Sequence, residues 1–170
     1  MLRSSTLLLL AVSGLLLTAS VTPAAGRTAY QPHATGSALR SVVAHIPGYR
    51  SHRPARWVIS SRFDPNWGTT DWYRNTIYVS PRTPRSVLAA VVRHEWGHEL
   101  SVRAYGGNVA AAVKAMNRVF GGGRSGLRGA ENAADCMARL LGARWTRYTA
   151  CSSLAWRRQA ARLLHGQRLR

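Results

Sequence analysis

The chain has little negative charge. Only six of its 170 residues are acidic, against 24 lysines and arginines, and the formal net charge is +18. The acidic residues are Asp64, Asp71, Glu95, Glu99, Glu131 and Asp135. Such a surface favours anionic partners, such as cell-envelope polymers. Basic residues interleaved with aromatics do not form a block anywhere in the sequence, so nucleic acid is not a favoured partner.

Cysteine is also scarce, and the two cysteines are Cys136 and Cys151. A lone pair in an exported protein often forms a disulfide, because the surroundings are oxidising. We expect this bridge, with two buried free thiols as the alternative.

The sequence lacks an apolar run long enough to span a bilayer. Residues 4–26 are uncharged, but their apolar centre covers only residues 7–17. Arg3 precedes this stretch, and the small residues Ala24, Ala25 and Gly26 end it, which is typical of a signal peptide. We therefore interpret residues 1–26 as a signal peptide, with an uncleaved anchor as the alternative. The mature protein is then secreted or envelope-associated, without a transmembrane span.

The remaining residues suit one domain. Residues 27–56 specify little structure beyond a short helix over residues 37–46, and residues 57–170 form the predicted domain. Residues 57–61 and 76–80 are rich in β-branched and aromatic residues and flank a turn-rich segment, which predicts two strands in a small antiparallel sheet. Helices follow the strands, so the predicted class is α+β.

Four helices are predicted after the sheet. The first begins at Thr83 and Pro84 and ends at Gly106, and Asn108 caps the second, which runs to Phe120. The third covers residues 130–145, and the fourth covers residues 153–165 with Ser152 as its cap.

The first of these helices carries the pattern HExxH, in which His98 lies four positions after His94. On a helix the two imidazoles face the same way and can bind one metal ion. Glu95 follows the first histidine and lies where a carboxylate can hold a water beside that ion. Gly97 is a poor helix former, which indicates close packing of another element at this point.

A catalytic zinc site needs a third protein ligand. We favour Glu131, because it lies with Asp135 on an otherwise apolar helix, where acidic residues are costly to bury. Asp135 can accept the second ring N–H of a ligand histidine and fix its tautomer. Three alternatives for the third ligand are His165, Asp71 and His52.

These motifs resemble those of the gluzincin metallopeptidases. The segments Arg93-His-Glu-Trp-Gly-His98 and Ala134-Asp-Cys136, followed by Trp145, resemble more narrowly the bacterial neutral zinc metallopeptidases. The resemblance covers about residues 76–151. It implies a minimal zincin-like domain, a small sheet followed by a helical bundle. It also implies a zinc ion bound by His94, His98 and Glu131. In this resemblance Glu95 is the base, and Asp135 accepts a hydrogen bond from a ligand histidine.

The chemistry implied is hydrolysis of a peptide bond by a water that the metal activates and Glu95 deprotonates. The oxyanion that forms needs a further donor, for which Tyr105, Tyr148 and His165 are candidates. Residues 76–80 are a candidate edge strand for pairing with an extended substrate.

Two other functions remain open at this point. One is a non-catalytic, basic envelope-binding protein with a structural zinc ion. The other is a zinc amidase that acts on cell-wall peptides with the same ligands. We expect a monomer whose partner is a peptide or protein substrate.

Overall fold

The computed structural model describes residues 33–121 and 126–170, and the predicted signal peptide lies outside them. Within these residues three strands and five helices follow one another in an arrangement that confirms the α+β class. The elements are α1 (Gly36–Ala44), β1 (Arg56–Ile59), β2 (Gly68–Asp71), β3 (Thr76–Val79), α2 (Arg85–Ala104), α3 (Val109–Val119), α4 (Arg128–Leu140) and α5 (Leu154–Leu164).

Residues 33–56 contribute to the hydrophobic core. Thr35 caps α1 by accepting a hydrogen bond from the Ala38 amide. One face of this helix, with Leu39 and Val43, is buried in the same cluster of apolar residues as the sheet and the later helices. The segment for which the sequence specified little structure therefore packs with the rest of the described chain.

The sheet is mixed, with the strand order β1-β3-β2. β1 pairs with β3 in parallel, so the antiparallel pairing expected for these two strands is wrong. The connection between them holds an extra strand, β2, which pairs antiparallel with β3 and reverses the chain before β3 begins. β3 is consequently the central strand, with Ile77 and Val79 fully buried. Residues 76–80 are therefore not an edge strand, and β2 is.

α2 lies at the centre of the molecule. It buries Leu88, Val92, Trp96 and Leu100 and contacts the sheet and every other helix. Its N-cap is Pro84 rather than the expected Thr83. The Thr83 hydroxyl is used elsewhere, because it donates to the Trp67 carbonyl oxygen over 3.0 Å.

α4 packs closely against α2 at Gly97. A Cβ atom added to Gly97 would lie 3.2 Å from both Cα and O of Ala134 and 3.3 Å from Cβ of Met137. The close packing expected at this glycine is therefore confirmed. It brings the backbones of the two helices together next to His94 and His98.

α4 ends at Leu140, five residues before the expected end. Gly142 takes a positive φ of 90°, the Ala143 amide donates to the Ala138 carbonyl, and the Gly142 amide donates to the Arg139 carbonyl. This pattern is the Schellman motif, which stops a helix at a left-handed residue. Residues 141–151, which we call the wall loop, then return along α4 to Cys151. The expected disulfide joins Cys151 to Cys136 of α4.

The two other helices begin near their expected caps. Asn108 caps α3 through a bond from the Ala111 amide, and Ser153, one residue after the expected Ser152, caps α5 through a bond from the Trp156 amide. Within residues 33–121 and 126–170, each helix is too short or too polar to cross a membrane.

Gly97→Val should destabilise the protein by about 1–3 kcal/mol, because the branched side chain overpacks the contact between α2 and α4. Chemical denaturation would measure the change in the free energy of unfolding. Ala110→Val on the exposed side of α3 is a control for the poor helix propensity of valine. Equal losses for the two variants would contradict the close-contact interpretation.

Candidate metal centre

α2 and α4 bring the three expected ligands together. His94 and His98 lie one turn apart on α2, and Glu131 lies in the first turn of α4. Glu131 Oε2 is 3.0 Å from His94 Nε2 and 3.4 Å from His98 Nε2. The two imidazole rings are nearly perpendicular, with centroids 4.7 Å apart.

These three side chains can hold a metal ion. One ligand atom from each of His94, His98 and Glu131 lies within 4.8 Å of the other two. Two imidazole nitrogens and one carboxylate oxygen form a donor set found in catalytic zinc sites, which leave a further coordination position open. Because the ligand atoms already converge, binding requires little rearrangement of the backbone.

Asp135 fixes the orientation of His94. Its Oδ1 lies 2.7 Å from His94 Nδ1, which leaves Nε2 directed toward Glu131. Its Oδ2 accepts hydrogen bonds from the backbone amides of Tyr148 and Thr149, at 2.5 and 2.9 Å. Asp135 is 1% exposed, and these three bonds offset the cost of burying its charge. A carboxylate behind a ligand histidine fixes the tautomer and raises its basicity.

His98 is held differently. Its Nδ1 atom is buried and has no hydrogen-bond partner among the described residues. The ring packs edge to face with Trp72, with centroids 6.0 Å apart. Packing rather than a carboxylate therefore supports the second imidazole on the side away from Glu131.

The acids around His94 change its pKa. Burial alone would lower the pKa of His94, but hydrogen bonds to Asp135 and Glu131 outweigh burial and raise this pKa to about 10. Burial would likewise raise the pKa of Glu131, but hydrogen bonds from His94 and His98 hold it well below its usual range. Without a metal ion, His94 is therefore protonated at neutral pH, and its two ring N–H groups donate to Asp135 and Glu131.

Glu95 lies against β2. The Thr70 hydroxyl is 2.8 Å from Glu95 Oε2 and 3.0 Å from the Glu95 carbonyl oxygen, so it can donate to either. A Cβ atom on Gly68 would lie 2.5 Å from Glu95 Oε1, so only glycine leaves room for this carboxylate. The β2 backbone therefore determines where the second Glu95 oxygen lies.

A cavity of about 270 Å³ opens above the ligands. One wall is formed by residues 66–70 and Trp72, and another by Leu127, Ala130 and residues 145–148 of the wall loop. Trp67 and Trp145 approach each other across it, with ring centroids 5.9 Å apart. His94, Glu95, His98, Glu131 and Asp135 line the same cavity.

Among the three candidate oxyanion donors, only Tyr148 lines this cavity. Its ring stacks with the His94 imidazole at a centroid distance of 5.7 Å. Burial, then the charge of Glu131, raises the pKa of Tyr148, which keeps the phenol protonated. The Tyr105 hydroxyl instead accepts a bond from the Leu169 amide, and His165 ends α5.

The alternative third ligands do not join the candidate metal group among the described residues. Asp71 pairs with Arg74 at the end of β2. The His52 ring packs against Trp96, and burial, followed by the charges of Arg103 and His165, lowers its pKa.

The sequence did not indicate Thr70, Gly68 or the wall-loop amides as parts of the site. The two adjacent threonines Thr69 and Thr70 are β-branched and carried a weak strand signal. The amides of the wall loop leave no signal in the sequence, because any residue other than proline provides a backbone N–H.

Comparisons with protein-family models, curated proteins and solved structures return no match to this chain. The assignment of function therefore depends on the geometry of the site.

Asp135→Ala should weaken binding of a divalent metal ion by about 10–100-fold, because His94 loses the partner that fixes its ring. Competition with a chromophoric chelator would measure the affinity for zinc. Asp71→Ala is the matched control, since it removes a carboxylate outside the ligand group. Equal affinities for the Asp135 variant and the parent protein would contradict this role.

Metal binding should release protons at neutral pH, because the ion must displace the proton that His94 holds. Calorimetry at pH 7 in buffers of different ionisation enthalpy would give the number released. We expect about one proton per ion, and weaker binding as the pH falls. Binding without proton release would contradict the protonated state of His94.

Proposed function

We propose that this protein is a zinc-dependent peptidase in which Glu95 is the general base. The main support is the position of the His94, His98 and Glu131 ligand atoms beside an open cavity, with Glu95 next to them. A structural zinc ion normally has four protein ligands and no open side, whereas a catalytic one has three. The ligand set therefore favours catalysis over a structural zinc in a binding protein.

A zinc ion bound here would polarise a substrate carbonyl and lower the pKa of a water toward about 7. Glu95 accepts the proton of that water as its oxygen attacks the carbonyl carbon. Glu95 then transfers the proton to the leaving amine nitrogen as the carbon–nitrogen bond breaks. Thr70 donates to Oε2 and thereby restricts the orientation of the Glu95 carboxylate in the cavity.

Tyr148 is the donor that we assign to the oxyanion. Its ring lies beside a ligand histidine, and its phenol keeps its proton at neutral pH. A protonated phenol in a partly enclosed cavity can stabilise the developing negative charge without titrating itself.

β2 provides a place for the substrate backbone. It is the outer strand of the sheet on this side, and Gly68, Thr69 and Thr70 line the cavity. An extended peptide can add to the free edge of such a strand through main-chain hydrogen bonds. The scissile bond would then lie between β2 and the metal ligands.

The setting that we propose is outside the cytoplasm. The Cys136–Cys151 disulfide is compatible with an oxidising compartment, and the predicted signal peptide would direct export. The excess of arginine would then keep the enzyme near anionic envelope polymers.

Glu95→Gln should lower kcat for peptide hydrolysis by about 10²–10⁴-fold and leave zinc binding unchanged, because glutamine cannot accept the proton. Gly68→Ala should also lower kcat, since its Cβ would displace Glu95 without touching the metal ligands. Casein and a peptide library, each with a chelator control, would measure turnover.

Full activity of pure Glu95→Gln would remove Glu95 from the mechanism. Cleavage of muropeptides but not of casein or the library would instead indicate the amidase alternative. Zinc binding without hydrolysis of any of these substrates would leave the structural-zinc alternative.

A further inference from the structure

Each of the six acidic side chains of the chain has at least one polar partner within the described structure. Three of them pair with arginines, and three belong to the metal centre. The arginine pairs are Asp64–Arg82, Asp71–Arg74 and Glu99–Arg103. Glu95 is bonded to Thr70, and Glu131 and Asp135 are bonded to the ligand histidines. Outside the metal centre, every described acidic side chain is paired with an arginine, so none is left to attract a cationic substrate.

Arg147 is the cationic side chain of the cavity wall. It is exposed, and within the described residues it is the only charged side chain that lines the cavity apart from those of the metal centre. Its guanidinium carbon lies 5.7 Å from the centre of the Tyr148 ring, and this ring stacks with His94. Arg147 pairs with no acidic residue of the described chain, so its charge remains available to a substrate that enters the cavity.

The backbone at Arg147 is fixed relative to the metal ligands. The next two amides, of Tyr148 and Thr149, both donate to Asp135, and the Thr146 hydroxyl donates to the Thr149 carbonyl over 2.7 Å. The disulfide at Cys151 holds the end of the same loop on α4. The guanidinium is therefore attached to a fixed point beside the site where hydrolysis would occur, which distinguishes it from an ordinary surface arginine.

We propose that Arg147 makes the enzyme selective for acidic peptides, by pairing with a substrate carboxylate close to the scissile bond. The inference rests on the peptidase function proposed above. The remainder of the cavity outside the metal centre is neutral, with aromatic, aliphatic, hydroxyl and amide side chains, so Arg147 decides the sign of the charge preference. Because the side chain is exposed, we expect a preference of about fivefold rather than several hundredfold.

The test uses three peptides that differ at one residue near the cleaved bond. This residue is Glu in the first peptide, Gln in the second and Lys in the third. The zinc-loaded full chain should cleave the Glu peptide with a kcat/KM about fivefold higher than the Lys peptide. Arg147→Glu should reverse this order. Arg118→Glu, on the exposed side of α3, changes the net charge equally and should leave the order unchanged.

A binding measurement separates this inference from the peptidase proposal. Zinc-loaded Glu95→Gln would bind the same peptides without turnover, and quenching of Trp67, Trp72 and Trp145 fluorescence would report occupancy of the cavity. Stronger binding of the Glu peptide that Arg147→Glu abolishes and Arg118→Glu retains would support the role of Arg147. The same result with no hydrolysis by the parent protein would refute only the peptidase function.

Two outcomes would overturn the proposal. One is hydrolysis of the Glu and Lys peptides at equal kcat/KM, which would leave the peptidase function intact. The other is an equal loss of the preference in Arg147→Glu and Arg118→Glu. That result would assign the attraction to the overall positive charge.

Discussion

The contact between α2 and α4 at Gly97 is the constraint on which the site depends. Because this residue has no side chain, the α2 backbone approaches Ala134 of α4 closely. The approach brings Glu131 within 3.4 Å of the nearest imidazole nitrogens of both His94 and His98. A wider separation of the two helices would leave a histidine pair without its carboxylate. The poor helix propensity of one glycine is therefore the cost of bringing three ligands together.

Burial of charge around these ligands is tolerated because each group has a partner. Asp135 is almost fully buried, yet it accepts bonds from His94 and from two backbone amides of the wall loop. Unpaired, it would cost several kcal/mol to bury as an ion. The network links α2, α4 and the wall loop through one carboxylate, and the disulfide from Cys136 holds the end of the same loop. The fold and the metal centre are consequently stabilised by the same contacts.

The sequence predicted the parts of the site that depend on local spacing. His94 and His98 were identified because residues four apart on a helix share a face, and Glu131 because an acidic residue on an otherwise apolar helix is costly to bury. The parallel pairing of β1 and β3 was missed, since it depends on the insertion of β2 between them in the chain, and the four residues of β2 lack an apolar pattern. The early end of α4 was missed because helical periodicity continues past Gly142, whose left-handed conformation stops the helix.

The wall loop should tolerate replacement of its side chains better than a change in its length. Asp135 is held by backbone amides, which are present whatever side chains residues 148 and 149 carry. Replacing side chains along the loop can therefore alter the shape and charge of the cavity wall, while the support of His94 stays the same. An insertion or deletion would shift both amides against a loop end that Cys151 fixes, and the imidazole would lose its orientation. Homologues should thus vary the identity of these residues while the length of the loop stays constant.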